Sequence, residues 1–92
     1  MDKLLFNPVR LKIVSTLLSV DNCDFNYLKK ITDTTSGNLS IQIKRLKEKK
    51  YIKVEKTFEN NYPKTKCKVT EKGKNCFEKF LNFCGYSFYE QK

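Results

Sequence analysis

Amide, aliphatic and basic side chains recur between residues 36 and 49 in a mixture that suits the reading of DNA bases. In the major groove, Arg pairs with guanine, Asn or Gln pairs with adenine, and an aliphatic group contacts the thymine methyl. The candidate base-reading residues are Asn38, Ile41, Gln42 and Arg45, with Gln42 on the flank of the set. An ordinary solvated surface is the alternative, and this stretch alone leaves both interpretations open.

The apolar spacing predicts a helix that would position these groups. Leu39, Ile43 and Leu46 fall at i, i+4 and i+7, which places them on one buried stripe. The opposite face would carry Gly37, Asn38, Ile41, Lys44 and Arg45. A glycine in the first turn costs up to about 1 kcal/mol relative to alanine. Close approach of a DNA backbone, or of the preceding helix, is a reason for its presence.

Positive charge is concentrated in and after this predicted helix. The 92-residue chain has a formal net charge of +9, and residues 44–68 hold ten Lys or Arg against three Asp or Glu, a net of +7. A concentrated basic block in a folded domain marks a polyanion site. General solubility would not require such concentration, and a membrane surface would require an apolar opposing face that this region lacks.

Hydroxyl, amide and lysine side chains around this block are candidates for contacts with the DNA backbone. They are Thr35, Ser36, Ser40, Lys44, Lys47, Lys53, Asn61, Lys64, Lys66 and Lys68. The last three lysines alternate along one predicted strand, where they could instead protect a strand edge. Their position directly after the key helix favours phosphate contacts.

Residue types needed for catalysis or metal binding are scarce. The chain has no histidine, and its four cysteines form no C-x-x-C pair, which removes the common zinc spacings and every His-based catalytic arrangement. We therefore expect no enzyme activity, no metal and no cofactor. The thiols are expected to be small buried hydrophobes, and a redox-sensing role for one of them stays open. No apolar run approaches the ~20 residues of a membrane span and no secretion signal is present, which predicts a cytoplasmic location.

Capping residues and changes in periodicity predict the order of elements. Helices are expected from about 8 to 20 after Asn7, from 25 to about 32 after Asp24, and from 36 to 49 after Thr35 or Thr34. A strand is expected from 51 to 58, with Ile52, Val54 and Phe58 inward and Tyr51 outward, then a turn over 59–64 and a return strand. Thr70 and Glu71 begin a last helix over about 71–89. All 92 residues would form one domain.

Six of the twelve aromatic residues lie between Phe77 and Tyr89, more than the end of a small domain needs. Large exposed apolar patches are uncommon on monomers, so we expect some of these rings to meet a second copy of the chain. The candidate dimer interface comprises Leu5, Phe6, Phe77, Phe80, Phe83, Tyr86 and Phe88. The alternative is an intramolecular lid over the first helix.

Several short sequence motifs along the chain resemble those of a family of small winged-helix regulators related to the MarR and ArsR repressors. They are Asn7-Pro8-Val9-Arg10-Leu11-Lys12-Ile13, Asp24-Phe25-Asn26-Tyr27-Leu28, Gly37-Asn38-Leu39-Ser40, Lys56-Thr57-Phe58, Pro63-Lys64-Thr65 and Val69-Thr70-Glu71-Lys72-Gly73. The resemblance implies a mainly α fold with a small β-hairpin wing, the winged helix-turn-helix. It further implies a third helix in the major groove of double-stranded DNA, a wing (58–66) on the backbone or minor groove, and a last helix that helps form a homodimer.

Two positions depart from the family pattern. Gln42 stands where the family usually has His, which keeps hydrogen-bonding ability without pH sensitivity. Lys49-Lys50 stands where the family has Ala-Gly, which brings into question the usual left-handed helix end. A winged helix used as a protein–protein interaction module is the main alternative function. The basic block favours DNA, and an RNA-binding platform is missing.

Overall fold

The computed structural model describes residues 3–20 and 22–84 as four α-helices around a small sheet. A 3-10 helix, Lys3–Phe6, precedes α1. The helices are α1 (Pro8–Ser19), α2 (Phe25–Thr32), α3 (Ser36–Glu48) and α4 (Glu71–Phe83), and the strands are β1 (Cys23–Asp24), β2 (Ile52–Glu59) and β3 (Tyr62–Val69). This order confirms the winged helix-turn-helix predicted from the sequence. Within the described residues, no helix is long and apolar enough to cross a membrane.

Each α-helix begins at a side chain that accepts a hydrogen bond from a backbone N–H of its own first turn. The capping residues are Asn7, Asp24, Thr35 and Thr70. Each such cap is worth about 1 kcal/mol. Of the two threonines left open for α3, Thr35 is the cap, and its Oγ1 lies 3.1 Å from the Asn38 nitrogen. The helix starts were thus correctly predicted by local capping chemistry.

The sheet is antiparallel, in the order β1-β3-β2. Only Asn60 and Asn61 separate β2 from β3, and both have positive φ, 53° and 67°. Two left-handed residues define the type I′ turn, which matches the twist of the flanking strands. The wing is therefore longer than predicted, because Glu59 and Tyr62 belong to the strands rather than to the turn.

The core lies between the helices and one face of the sheet. The predicted stripe of α3 is confirmed, since Leu39, Ile43 and Leu46 are all buried. They pack in one cluster with Ile13, Val14 and Leu17 of α1 and Leu28 of α2.

Two orientations predicted for β2 are wrong. Tyr51 is 1% exposed rather than outward, because it precedes the strand and its N–H closes the end of α3 on the Leu46 carbonyl. Phe58 is 77% exposed although it shares a face with Val54. Strand alternation fixes the face of a residue, but no helix of the described chain covers that face near the wing tip.

The C-terminal end of α3 keeps a left-handed residue without a glycine. Lys50 has φ 64°, its N–H bonds to the Lys47 carbonyl, and the Tyr51 N–H bonds to the Leu46 carbonyl. These two bonds define the Schellman motif, and the buried pair Leu46 and Tyr51 supplies its usual apolar contact. The doubt raised by Lys49-Lys50 is resolved, at a conformational cost of about 1 kcal/mol for a non-glycine residue.

Gly73 allows α4 to approach the start of β2. A Cβ there would overlap the Tyr51 carbonyl oxygen and lie 2.8 Å from Val69 Cγ2. The Thr70 N–H also bonds to that carbonyl oxygen, at 3.0 Å. This backbone contact fixes α4 against the end of α3, and α3 carries the candidate site.

Candidate nucleic-acid interface

The outer face of α3 presents the predicted mixture of apolar and basic groups. Ile41 is 52% exposed, and Ser40, Lys44, Arg45 and Lys47 are exposed as well. Among the ion pairs of the described residues, none involves these three cations. Their charges therefore remain available to a polyanion.

Gln42 does not lie on this face, so its assignment as a base reader is wrong. Its side chain is 8% exposed, and both ends of its amide are used inside the protomer. Arg10 donates from Nη1 to Gln42 Oε1, and Gln42 Nε2 donates to Asn38 Oδ1 at 3.1 Å. Helical spacing put Gln42 at the edge of the exposed face, but the first turn of α1 covers that edge.

Asn38 is half-buried, with its amide held at both ends. Its Oδ1 accepts from Gln42, and its Nδ2 donates to Thr34 Oγ1 at 2.7 Å. Sequence reasoning missed Arg10 and Thr34. Thr34 was considered only as a helix cap, and Arg10 was noted only as part of the motif at residues 7–13. No local sequence pattern indicates that either side chain has a partner on a distant helix.

The N-terminus of α3 carries the predicted contacts Thr35 and Ser36, both exposed. Gly37 is also exposed, and a Cβ built on it would meet nothing within 4 Å. Close approach of the second helix therefore does not explain this glycine. The first backbone N–H groups of a helix lack intrahelical partners and favour anions, and close approach of a DNA backbone to this glycine stays a prediction.

The wing lysines fall into two pairs with different surroundings. Lys53 and Lys68 are exposed and directly opposite each other in the β2–β3 register. Like charges placed opposite in a sheet destabilise it. Neither lysine takes part in the ion pairs of the described chain. This pair is therefore an unfavourable arrangement that an anion would relieve.

Lys64 and Lys66 instead hold Glu59 near the wing tip. Their Nζ atoms lie 3.1 Å and 3.0 Å from the Glu59 carboxylate oxygens, and Lys64 is also 4.0 Å from Asp24. Hydrogen bonds from Lys66 and then Lys64, with the charges of both, lower the pKa of Glu59. The two lysines predicted as phosphate contacts thus already have an acidic partner. Asn61, also predicted, is exposed at the turn.

The predicted dimer interface divides into core and surface. Leu5, Phe77 and Phe80 are 1%, 8% and 8% exposed, so their assignment to an interface is wrong because they fill the protomer's own core. Phe6 and Phe83 are 48% and 66% exposed, and their ring centroids lie 5.8 Å apart. Tyr86, Phe88 and the predicted end of the last helix lie outside the described residues.

An open groove of about 580 Å³ runs between α1 and α4. Leu18, Phe77 and Leu81 supply its apolar lining, and Lys74 and Glu78 lie on one side. Phe6, at the end of the 3-10 helix before α1, meets Phe83 at the end of α4. Exposed apolar surface therefore also occurs near the start of α1.

The cysteines are divided between the core and the surface. Cys23 and Cys67 are buried and opposite each other in the β1–β3 register, while Cys76 is half-buried and Cys84 exposed. Burial, and then the neighbouring Cys23, raises the pKa of Cys67 to about 11. The expectation of buried thiols is confirmed for two of the four. No three His, Cys, Asp or Glu side chains of the described chain are grouped to hold a metal ion.

Residues 9–84 match the family model described as a winged helix DNA-binding domain. The chain belongs to this family. It is 34% identical over 79 residues to an uncharacterized protein of Methanocaldococcus jannaschii, with 86% of each chain covered. It also resembles the structure of a transcriptional regulator homologue from Pyrococcus horikoshii OT3, with 32% identity and a TM-score of 0.81, covering 88% of this chain and 80% of that one.

Structures of E. coli MarR share the fold. Wild-type MarR in its apo form superposes with a TM-score of 0.72 at 18% identity, covering 83% of this winged-helix chain and 55% of MarR. A mutant MarR complexed with operator DNA superposes with a TM-score of 0.67 at 20% identity, covering 88% of this chain and 63% of that one. At these identities the likeness concerns the architecture alone.

Proposed function

We propose that this chain is a DNA-binding transcriptional regulator that places α3 in the major groove and its wing on the backbone or minor groove. The observation that carries the proposal is the opposed, uncompensated pair Lys53 and Lys68 beside the basic outer face of α3. Two like charges held opposite in the free protein point to a bound polyanion. The name of the P. horikoshii relative and the operator complex of MarR agree with this direction.

The proposed contacts divide by the information they carry. Arg45 and Ile41, which are exposed on the middle of α3, would read base edges together with the half-buried Asn38. Lys44, Lys47, Lys53 and Lys68 would contact phosphates, with Thr35, Ser36, Ser40 and Asn61 as hydroxyl and amide contacts. Lys64 and Lys66 would contribute less, because Glu59 competes for them.

We further propose that the regulator is a cytoplasmic homodimer in which residues 1–92 act as one domain. A single winged helix reads only a few base pairs, whereas two recognition helices about 34 Å apart read a palindromic site. The exposed Phe6 and Phe83 and the apolar groove between α1 and α4 support a contact between two copies on this side.

A salt titration of duplex binding tests the DNA proposal. Each neutralised phosphate contributes about 0.9 to the slope of log affinity against log salt. Four lysine contacts per protomer would give a slope near −3.6, and six would give a slope near −5.4. A flat titration would contradict DNA binding and favour a protein–protein interaction module.

Light scattering tests the dimer. The variant Phe6→Ser with Phe83→Ser removes the two exposed rings that lie beside each other on this side and leaves the buried Phe80 in place. We expect it to remain folded, to be monomeric at tens of micromolar, and to bind a palindromic site poorly. A wild-type protein that is itself monomeric at that concentration would refute the dimer.

A further inference from the structure

A chain of side-chain hydrogen bonds runs from the first helix to the start of α3. Arg10 donates from Nε to the Leu4 carbonyl at 2.6 Å and from Nη1 to Gln42 Oε1. Gln42 Nε2 donates to Asn38 Oδ1, and Asn38 Nδ2 donates to Thr34 Oγ1. The relay crosses from α1 to α3 and ends in the turn between α2 and α3.

The direction of every bond in the relay is dictated by Arg10. A guanidinium has donors and no acceptor, so the Gln42 atom that faces it must be the oxygen. The Gln42 nitrogen then faces Asn38, so the Asn38 atom that meets it must also be an oxygen. Amide orientations are otherwise ambiguous, and here a cation on another helix removes the ambiguity.

The relay uses half of the bonding capacity of the Asn38 amide. An amide oxygen accepts two hydrogen bonds and an amide nitrogen donates two, and the relay takes one of each. One acceptor and one donor remain. Adenine presents the complementary pair in the major groove, the N6 donor and the N7 acceptor.

We propose that Arg10, Gln42 and Thr34 are positioning residues that fix the Asn38 amide in the orientation that reads adenine. This inference rests on the proposed DNA-binding function. Gln42 would set specificity without touching a base. The relay has a fixed direction, so any replacement of Gln42 must accept on the Arg10 side and donate on the Asn38 side.

The key comparison is between Gln42→Glu and Gln42→His. A glutamate has the same shape and accepts from Arg10, but it has no N–H for Asn38, so the asparagine amide is released or turned over. A neutral imidazole accepts on one nitrogen and donates on the other, which restores the relay. Asn38→Ala removes the base-reading side chain itself. Thermal unfolding checks that every variant is folded.

The readout is the loss of affinity when 7-deazaadenine replaces adenine in the preferred duplex, found by selection from random sequences. This analogue lacks only the N7 acceptor. We expect wild type and Gln42→His at pH 8 to lose about tenfold in affinity at one position, because the analogue removes one hydrogen bond of a bidentate contact that is worth about 1–3 kcal/mol in all. Gln42→Glu and Asn38→Ala should bind both duplexes equally, and the double variant should show no further change.

A pH titration of the His variant adds an independent check. A protonated imidazole cannot accept from Arg10, so the sensitivity to 7-deazaadenine should be lost in this variant as the imidazole protonates and should persist in wild type. Burial and the Arg10 charge both lower the pKa of an imidazole at this position, so the loss should occur below the ordinary histidine range. Retention of the full sensitivity in Gln42→Glu, or its absence in wild type that still selects a sequence, would overturn the relay alone. A wild type without duplex binding would overturn the proposed function as well.

Discussion

The two lysine pairs of the wing have the same residue type on the same sheet face, yet their surroundings are opposite. Lys64 and Lys66, near the tip, share the carboxylate of Glu59. Lys53 and Lys68, near the base of the wing, face each other without a counter-charge among the described ion pairs. Near the tip the lysines already have a carboxylate partner, while near the base they do not take part in the ion pairs of the described chain. The number of lysines alone does not distinguish these two pairs, but the presence or absence of an ion-pair partner does.

Removal of the two lysines near the base of the wing, Lys53 and Lys68, should have the largest effect on DNA binding. In Lys53→Ala with Lys68→Ala, we expect affinity to fall roughly tenfold or more and the salt slope to become shallower by about 1.8 per protomer, because each protomer loses two phosphate contacts. The free energy of unfolding should not fall and should rise by no more than about 0.5 kcal/mol, because both residues are exposed and their mutual repulsion is removed. Anisotropy titrations at several salt concentrations measure this. The matched control is Lys64→Ala with Lys66→Ala, and an equal loss there would erase the distinction between the pairs.

Glu59→Gln should leave Lys64 and Lys66 without the carboxylate that they share, as Lys53 and Lys68 are without one in the wild type. Without the carboxylate, Lys64 and Lys66 become available to phosphate, and we expect the salt slope to steepen by up to about 1.8 per protomer. Affinity at low salt should rise several-fold. Glu71→Gln is the control, because it removes the same charge from an exposed position outside the wing. A similar gain in both variants would mean that overall charge alone is responsible.

The two helical glycines differ in the same way: Gly37 faces open space, whereas Gly73 packs against the backbone of the protein itself. Gly37→Ala should raise the free energy of unfolding by up to about 1 kcal/mol, because the space is open and alanine favours the helix. It should also weaken DNA binding if a phosphate approaches this turn. Gly73→Ala should destabilise the fold strongly, because its Cβ meets the Tyr51 carbonyl. Undiminished affinity in a stabilised Gly37→Ala variant would remove the functional reason for this glycine.

Lys50→Gly is expected to have the smallest effect on binding. Glycine suits the left-handed position at the end of α3, so we expect about 1 kcal/mol of added stability. Denaturant unfolding measures the gain. DNA affinity should change less than in the double variant of Lys53 and Lys68. A larger loss would place Lys50 among the phosphate contacts.

Local chemistry predicted the elements well. The caps at Asn7, Asp24, Thr35 and Thr70 each depend on atoms within three residues, which a sequence shows directly. The stripe on α3 likewise depends only on helical spacing. These features are short-range, and tertiary packing did not override them.

The errors have long-range causes. Gln42 lies at the margin of the exposed face by spacing, and only the packing of Arg10 against it decides its role. Phe77 and Phe80 were assigned to a dimer because aromatic residues seemed too numerous, yet the core takes them. Phe58 has the periodicity of an inward residue but extends past the helices. Periodicity gives the face of an element, whereas the extent of the neighbouring element decides burial.

The two edges of the central strand β3 have a consequence for how the chain assembles. On one side β3 pairs with β2 through a two-residue turn, so that ladder closes a very short loop. On the other side, Cys67 pairs with Cys23, and the whole of α2, α3 and β2 lies between them. Short loops close early and at little entropic cost, while distant pairings come later. We therefore expect the hairpin to form early in folding and the short β1 strand to join it last.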